Sequence, residues 1–335
     1  MSRALIAITM GDPTGIGPEV IAKTFADPDF HKENCAVVIG DVGIMQRAIK
    51  LLNLSLQVRS LDRLEAACQE EGVIDVFPGS DLPEDLRFGE LDPRAGAAAF
   101  QYVKQSIELA LSGKVDAIAT APLNKEALHL AGLKYPGHTE ILADLTGTKD
   151  FAMMLTSERL RVIHVSTHLS LREAISNVTQ ERESVVIRLA NHALPRLGIE
   201  RPRVAVAGLN PHAGEGGIFG TEDLEKILPA VKAAQAEGID VTGPWPPDTV
   251  FMRAFSGEFD IVVAQYHDQG HIPLKLLGFD SGVNVTVGLP FWRTSVDHGT
   301  AFDIAGTGKA KHASMRAAID LARTLVLSKE TSDQE

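Results

Sequence analysis

Ala264–Lys275 reads A-Q-Y-H-D-Q-G-H-I-P-L-K, and what precedes it decides the fold. Phe259–Ala264 is an apolar run broken only by Asp260, the pattern of a buried strand. Such a strand delivers His267 at or near its carboxyl end, which is where open α/β sheets hold their ligands. His168 in V-S-T-H-L and His212 in L-N-P-H-A-G-E-G-G also follow short apolar runs. Three histidines in one position relative to three buried runs predict an α/β protein with its chemistry at strand ends.

A chain of 335 residues is long enough for one large or two ordinary α/β domains, and two lobes with a cleft are expected. With 44% hydrophobic and 23% charged residues the composition is that of a globular protein. No apolar run reaches the roughly 18 residues that a membrane span needs. Met1–Met10 carries one Arg and runs into a strand, without the apolar core and cleavage site of a signal peptide, so a cytoplasmic location is expected. Cys35 and Cys68 are too few for a disulfide framework and read as plain thiols. The formal charge of −12 and the lack of a basic cluster argue against nucleic acid. An anionic substrate must then be held by a few placed cations.

Along the chain, Ala4–Thr9 reads as a buried first strand, followed by G-D-P-T-G-I-G-P-E-V and the helical pattern Val20–Phe25, with Pro18 suited to a first helical turn. A glycine loop between strand and helix can approach a phosphate, although neither dinucleotide nor P-loop spacing is present; it is either a cofactor contact or a tight βα turn. Cys35–Gly40 and Val42–Leu52 read as the next strand and helix, with β/α alternation continuing through Val73–Phe77. Asp92 and Pro93 supply an N-cap and first-turn proline for a helix from Arg94 to about Leu111.

Ala117–Thr120 is another buried strand, after which Asn124 and Lys125 either face a site or cap the helix Lys125–Ala131. In P-G-H-T-E-I-L-A, His138 and Thr139 start a helix whose free N–H groups suit an anion; an N-capping Thr beside an incidental His is the other reading. Phe151–Leu155 and Leu160–Ser166 read as an antiparallel pair, Thr179–Leu197 as one long helix, Val204–Gly208 as a strand and Thr221–Glu237 as a helix. Gly243–Pro247 reads as a turn, Asp248 as a cap for Thr249–Phe255, Val283–Val287 as a strand, Ala313–Leu325 as the last helix, and Ser328–Glu335 as a frayed tail.

Three histidines on post-strand loops suit zinc or a similar divalent ion, in the open three-ligand arrangement of a catalytic site; each taken singly is a loop or core residue as readily. Asp248 or Asp268 would orient an imidazole or add a ligand. Lys275, Asn284 and Arg293 come from successive elements and suit a carboxylate or phosphate, unless they are solvated surface groups. A serine nucleophile is not supported, since G-x-S-x-G does not occur.

G-D-P-T-G-I-G-P-E-V near the start and D-H-G-T-A-F-D-I-A-G-T-G-K-A near the end resemble signatures of the isocitrate/isopropylmalate dehydrogenase-like superfamily. Within it, G-H-T-E, S-T-H, L-N-P-H-A-G-E-G-G, Y-H-D-Q-G and L-P-F-W-R-T-S-V-D-H-G-T-A match, in order and over essentially the whole chain, the 4-hydroxythreonine-4-phosphate dehydrogenase (PdxA) family. A-T-A-P-L-N-K-E-A-L-H-L-A-G and Y-H-D-Q-G-H-I-P-L-K-L-L-G-F look closer to its subgroup acting on D-threonate or D-erythronate 4-phosphate than to the vitamin B6 branch.

The resemblance implies two α/β lobes, residues 1–130 with 305–330 and residues 131–304, around a central cleft. It implies a homodimer whose active site is shared between subunits. By resemblance, His168, His212 and His267 hold one divalent ion, of Zn, Mg, Co or Mn, and His138, Thr139, Lys275, Asn284 and Arg293 hold a phosphorylated substrate. Gly11, Asp12, Gly15, Asp297, His298 and Gly299 are the expected NAD contacts, with Lys275 and Asp248 the catalytic candidates. The expected reaction is NAD-dependent oxidation and decarboxylation of a four-carbon 4-phosphorylated hydroxy acid. D-threonate or D-erythronate 4-phosphate is preferred as substrate, and 4-hydroxythreonine 4-phosphate is the alternative. A phosphate acyltransferase and a non-catalytic metabolite binder are the readings from other classes; in the former the histidine trio would be idle.

Overall fold

The structure, a computed structural model, describes residues 3–68, 70–277 and 282–332. In chain order its strands are β1 (Leu5–Thr9), β2 (Cys35–Gly40), β3 (Gln57–Ser60), β4 (Val73–Pro78), β5 (Ala117–Thr120), β6 (Ala152–Thr156), β7 (Arg161–His164), β8 (Val204–Ala207), β9 (Val241–Trp245), β10 (Ile261–Ala264), β11 (Val283–Val287) and β12 (Trp292–Val296). The chain divides into two compact units: Met1–Lys149 with Leu289–Gln334, and Asp150–Gly288. The expected boundaries at 130/131 and 304/305 therefore fall inside the first unit, because β12 pairs with β5 and the helix His138–Thr146 packs on the same core.

In the first unit the strands lie in the order β3-β4-β2-β1-β5-β12, all parallel. Helices such as Gly17–Phe25, Pro93–Leu111 and Ala313–Ser332 bury the strands, so β2 and β5 are continuous apolar runs with no solvent face. Ile6, Ile8, Val37, Ile39, Met45, Met315 and Ile319 make the main core. The chain runs outward from β1 to β2 and returns with β5 on the other side, a reversal that opens a ligand crevice at the carboxyl ends of β1 and β5.

In the second unit the order is β11-β6-β7-β10-β8-β9. β11, β6 and β7 are antiparallel neighbours, whereas β7, β10, β8 and β9 are parallel. The carboxyl ends of these last four strands share one edge, and they are the ends that precede His168, His267, His212 and Asp248.

Several expectations are corrected. Cys35 and Cys68 are joined as a disulfide, their Cα atoms 5.4 Å apart across 33 residues of sequence that gave no hint of proximity. Gly243–Pro247 is not a turn: β9 runs through Trp245 with a cis Gly243–Pro244 bond. Asp248 caps nothing, because the helix Pro247–Phe255 takes Pro246 as N-cap and Asp248 sits in its first turn. Thr179–Leu197 is a helix Gln180–Ala193 followed by a 3-10 turn, and a separate helix Leu171–Asn177 precedes it with a Ser170/Glu173 capping box. The last helix continues to Ser332; the rest of the expected frayed tail, 333–335, lies outside the described residues. No described helix is long and apolar enough to cross a membrane.

Candidate functional site

The second unit gathers imidazoles at its strand ends. His267 starts the helix His267–Leu277 rather than lying in a loop, and that helix contains Pro273. Its ring centroid is 5.9 Å from that of His168 and 3.7 Å from that of His271. His271 lies 4.8 Å from His164. His267 Nδ1 meets Asp268 Oδ1 at 2.7 Å, a carboxylate contact in which Nδ1–H donates and Nε2 is left as the accepting nitrogen. Burial, reinforced by neighbouring imidazoles, pushes His164 down to about 3 and His271 down to about 4, so both are neutral at neutral pH.

His212 is presented differently. It opens a run of left-handed residues, with φ of 52° at His212, 53° at Ala213, 77° at Gly214, 43° at Glu215 and 65° at Gly216. Three of these are not glycine, and a non-glycine residue held there costs about 1–3 kcal/mol, strain that collects at functional sites. Buried Asp223 holds the loop down by accepting from Leu209 N (2.8 Å), Asn210 N (3.2 Å) and Asn210 Nδ2 (2.9 Å). His212 packs its ring on Phe219, 6.2 Å away. Among the described residues no three His, Cys, Asp or Glu side chains of one chain converge on a point that could hold a metal ion. One chain thus brings His168 and His267 together but does not close the trio with His212.

Asp248 stands on the same edge, after β9. Lys275 lies two turns along the helix from His267. Asn284, in β11, donates through Nδ2 to Met153 Sδ at 3.0 Å, while its Oδ1 is buried without a partner.

The first unit gathers His138, Glu140, Lys125 and Arg293 about the start of the helix His138–Thr146. Gly137 is its N-cap and offers no side-chain acceptor, so the first-turn N–H groups are open to an anion. Neither Thr139 nor another side chain caps them. His138 Nε2 is buried without a hydrogen-bond partner, and burial, then Arg293 and Lys125, hold this imidazole well below its ordinary value. Arg293, 2% exposed in β12, donates from Nη2 to Thr120 Oγ1 at 2.6 Å. Burial lowers Arg293 to about 9, opposed by the Glu140 carboxylate. Lys125 and Glu140 border Gly137: a Cβ there would lie 3.7 Å from Lys125 Cε and 3.3 Å from Glu140 Oε2, an oxygen that is buried without a hydrogen-bond partner. Asn124 answers the question its position raised, since its Oδ1 caps the helix Lys125–Leu130 by accepting from Ala127 N at 3.0 Å.

The two glycine-rich signatures meet at the carboxyl edge of the same sheet. Ile16 N donates to Thr300 O at 3.1 Å, and a Cβ on Gly15 would lie 3.0 Å from Thr300 Cβ. Gly11 has φ 73°, and a Cβ there would fall 2.3 Å from Pro122 O, so only glycine fits. Asp12 Oδ1 is occupied by Thr14 N (2.9 Å) and Thr14 Oγ1 (2.7 Å), and burial raises the carboxyl, whose Oδ2 has no partner. Asp297, His298 and Gly299 follow β12 directly; His298 Nδ1 lies 3.0 Å from Gly299 O and its Nε2 is buried without a partner. Sequence reading left out the clasp beyond them, in which buried Glu19 accepts from Gly306 N (2.5 Å) and Gly308 N (2.9 Å) while Lys23 donates to Gly308 O and Ala310 O, both at 2.6 Å. E-V-I-A-K at Glu19–Lys23 was the only local signal for it.

Two α/β units with polar groups collected at the carboxyl ends of parallel strands define an enzyme of the dehydrogenase class when set beside known proteins. The chain belongs to the family described as pyridoxal phosphate biosynthetic protein PdxA, which matches residues 32–322. It is 52% identical over 324 residues to the D-threonate 4-phosphate dehydrogenase of Pectobacterium atrosepticum, covering 96% of this chain and 99% of that protein. It is 51% identical over 321 residues to the 4-hydroxythreonine-4-phosphate dehydrogenase of Beijerinckia indica, covering 96% and 94%. The crystal structure of a 4-hydroxythreonine-4-phosphate dehydrogenase from Klebsiella pneumoniae superposes with a TM-score of 0.89 at 52% identity, over 97% of this chain and 100% of that one. The chain is accordingly an oxidoreductase, and dehydrogenase relatives imply a nicotinamide cofactor.

Proposed function

We propose that the chain oxidises and decarboxylates a four-carbon hydroxy acid 4-phosphate, D-threonate 4-phosphate or D-erythronate 4-phosphate, with NAD as acceptor and one divalent ion, of Zn, Mg, Co or Mn, as cofactor. Hydride loss at C3 and loss of C1 as carbon dioxide convert either acid into dihydroxyacetone phosphate. The observation that carries the reading is the pocket of His138, Lys125 and Arg293 around uncapped N–H groups, which suits a phosphate and would be unexplained with a neutral substrate.

His168, His212 and His267 are the proposed ligands of the ion. A divalent ion there would act as Lewis acid on the C3 hydroxyl and on the charge left by decarboxylation, and the nicotinamide would take the hydride. His138, Thr139, Lys125 and Arg293 bind the phosphate and so fix the reacting carbons. Lys275 and Asn284 contact the acid end, Lys275 transferring the proton, with Asp248 as an acidic partner on the same edge. Gly11, Asp12, Gly15, Asp297, His298 and Gly299 form the proposed NAD surface. Because one chain leaves the trio open, a homodimer completes it. An apolar groove of about 530 Å³ between the helices Pro247–Phe255 and His267–Leu277, with Met252, Ile272, Leu276 and Leu277 exposed, supplies a surface suited to a second copy.

The 4-hydroxythreonine 4-phosphate reading differs by one group, an amine in place of the C2 hydroxyl, and is favoured by the names of relatives at similar identity. The test follows NADH formation with each phosphorylated acid, before and after chelation and re-addition of metal. The reading requires NADH with threonate or erythronate phosphate and its loss on chelation. No NADH with any acid would remove the reading, and indifference to thorough metal removal would remove the ion.

A further inference from the structure

The helix Gly17–Phe25 turns one face to a segment far along the chain. Glu19 Oε1 accepts from Gly306 N at 2.5 Å and Oε2 from Gly308 N at 2.9 Å, across 287 and 289 residues of sequence. One turn on, Lys23 Nζ donates to Gly308 O and Ala310 O, both at 2.6 Å. One turn back, the N-cap Ile16 donates from its N to Thr300 O at 3.1 Å. Positions 16, 19 and 23 fall on one side of a helix, so residues 300–310 are laid along it. Glu19 has no exposed surface, and the two N–H groups meet the need of a buried carboxylate for partners. Gly306 and Gly308 have φ of 77° and 71°. A turn that aims its N–H groups to one side makes a concavity suited to an anion. Here a side chain of the same chain is that anion, so these N–H groups are not open to a phosphate of a ligand.

We propose that Glu19 and Lys23 are positioning residues for the dinucleotide, holding the segment after β12 in its binding arrangement before the cofactor arrives. Between Val296 and Ala313 the chain has no strand or helix, and its internal bonds are turns, from Ile304 N and Ala305 N to Ala301 O and from Thr307 N to Ile304 O. Asp297, His298 and Gly299 open this segment, while Gly11, Asp12 and Gly15 lie in the loop that runs into the clasping helix. The clasp therefore ties both halves of the proposed NAD surface to one helix. Left alone, each half is a glycine-containing loop with many backbone states open to it. A surface in its binding arrangement about a tenth of the time binds about tenfold more weakly. Glu19 is buried and spends both oxygens on the backbone of the segment, so it acts on the cofactor through that segment.

The test uses the intact protein and two variants: Glu19→Gln, whose amide oxygen can serve only one side of the turn, and Lys23→Met, which keeps the stem and loses both bonds. NADH binding, followed by nicotinamide fluorescence, should weaken about tenfold in each, as for a surface only fractionally in place. KM for NAD should rise with it, while kcat at saturating NAD and KM for the phosphorylated acid stay at wild-type values. Hydrogen exchange across residues 297–310 should be faster than in wild type without NADH and return to wild-type protection when NADH saturates. Wild-type NADH affinity, or wild-type exchange, in both variants overturns the proposal. Equal losses in kcat and in both KM values, or failure of both variants to fold, overturn it in favour of a purely structural clasp. The role rests on the proposed NAD surface, and the same titration separates the two: wild type that binds no NADH removes that surface, whereas wild type that binds it beside unchanged variants removes the clasp's role alone.

Discussion

His271 lies with its ring 3.7 Å from that of His267, the planes 12° apart, and its Nδ1 bonds the His267 carbonyl at 2.9 Å. The pair is spaced i, i+4 on one helix, so a neutral imidazole is laid flat against the proposed ligand without bringing a charge to it. We predict that His271→Phe, which keeps the stack, binds Mn²⁺ as wild type does. His271→Ala should lose about 0.5–1.5 kcal/mol, roughly threefold to tenfold in affinity, read by calorimetry.

Lys125→Ala should raise KM for the phosphorylated acid by about tenfold or more and leave kcat nearly unchanged, since a charge-assisted contact is worth about 1.5–3 kcal/mol and the phosphate is remote from the reacting carbons. Lys125 is exposed, so the melting temperature should move little. Equal loss in kcat would place Lys125 in the chemistry instead.

His212→Ala should lower kcat/KM on the order of a hundredfold or more, through loss of the ion rather than of the fold. Metal content and circular dichroism measured on the same sample check this; a fully active variant would remove His212 from the ligand set.

Glu183 gives a pH dependence of stability. Its folded value, about 8, stands above its ordinary 4.5, so the folded state binds the extra proton between those limits. Its contribution is fully present below pH 4.5 and is lost as pH rises towards 8, with a slope of at most about 1.4 kcal/mol per pH unit. Relative to wild type, Glu183→Gln should therefore gain stability steadily across that range in urea unfolding; a pH-independent difference would show that the carboxyl ionises normally.

Gly11→Ala should destabilise the protein by about 1–3 kcal/mol or more from the backbone conformation alone, and the clash with Pro122 O adds to it. Thermal unfolding measures the loss. Gly299→Ala, where a Cβ meets nothing within 4 Å, is the control expected to fold normally.

β2, β5 and β8 were legible because parallel strands buried on both faces read as unbroken apolar runs. β12 was not, since W-R-T-S-V is polar, and its burial depends on remote partners: Thr120 for Arg293 and the Ala318 carbonyl for Thr294. Likewise Pro244 hid β9. The positions of His168, His212 and His267 followed from their strand ends alone. What sequence could not supply was long-range geometry: the Gln265 bridge to Ala207, the gathering of Lys125 and Glu140 beside Gly137, and the Glu19 and Lys23 clasp. No local spacing joins residues brought together by crossovers.

The second unit is a single continuous stretch, Asp150–Gly288, interrupting the first. Ribosomal synthesis is thereby given an order. When Lys149 leaves the exit tunnel, the first unit still lacks β12, which pairs with β5, and the helix carrying Met315 and Ile319 into its core. The inserted stretch has all its strands as soon as it emerges, so the later-made unit can fold first, while the N-terminal segment waits with its apolar strands exposed for the last residues to arrive.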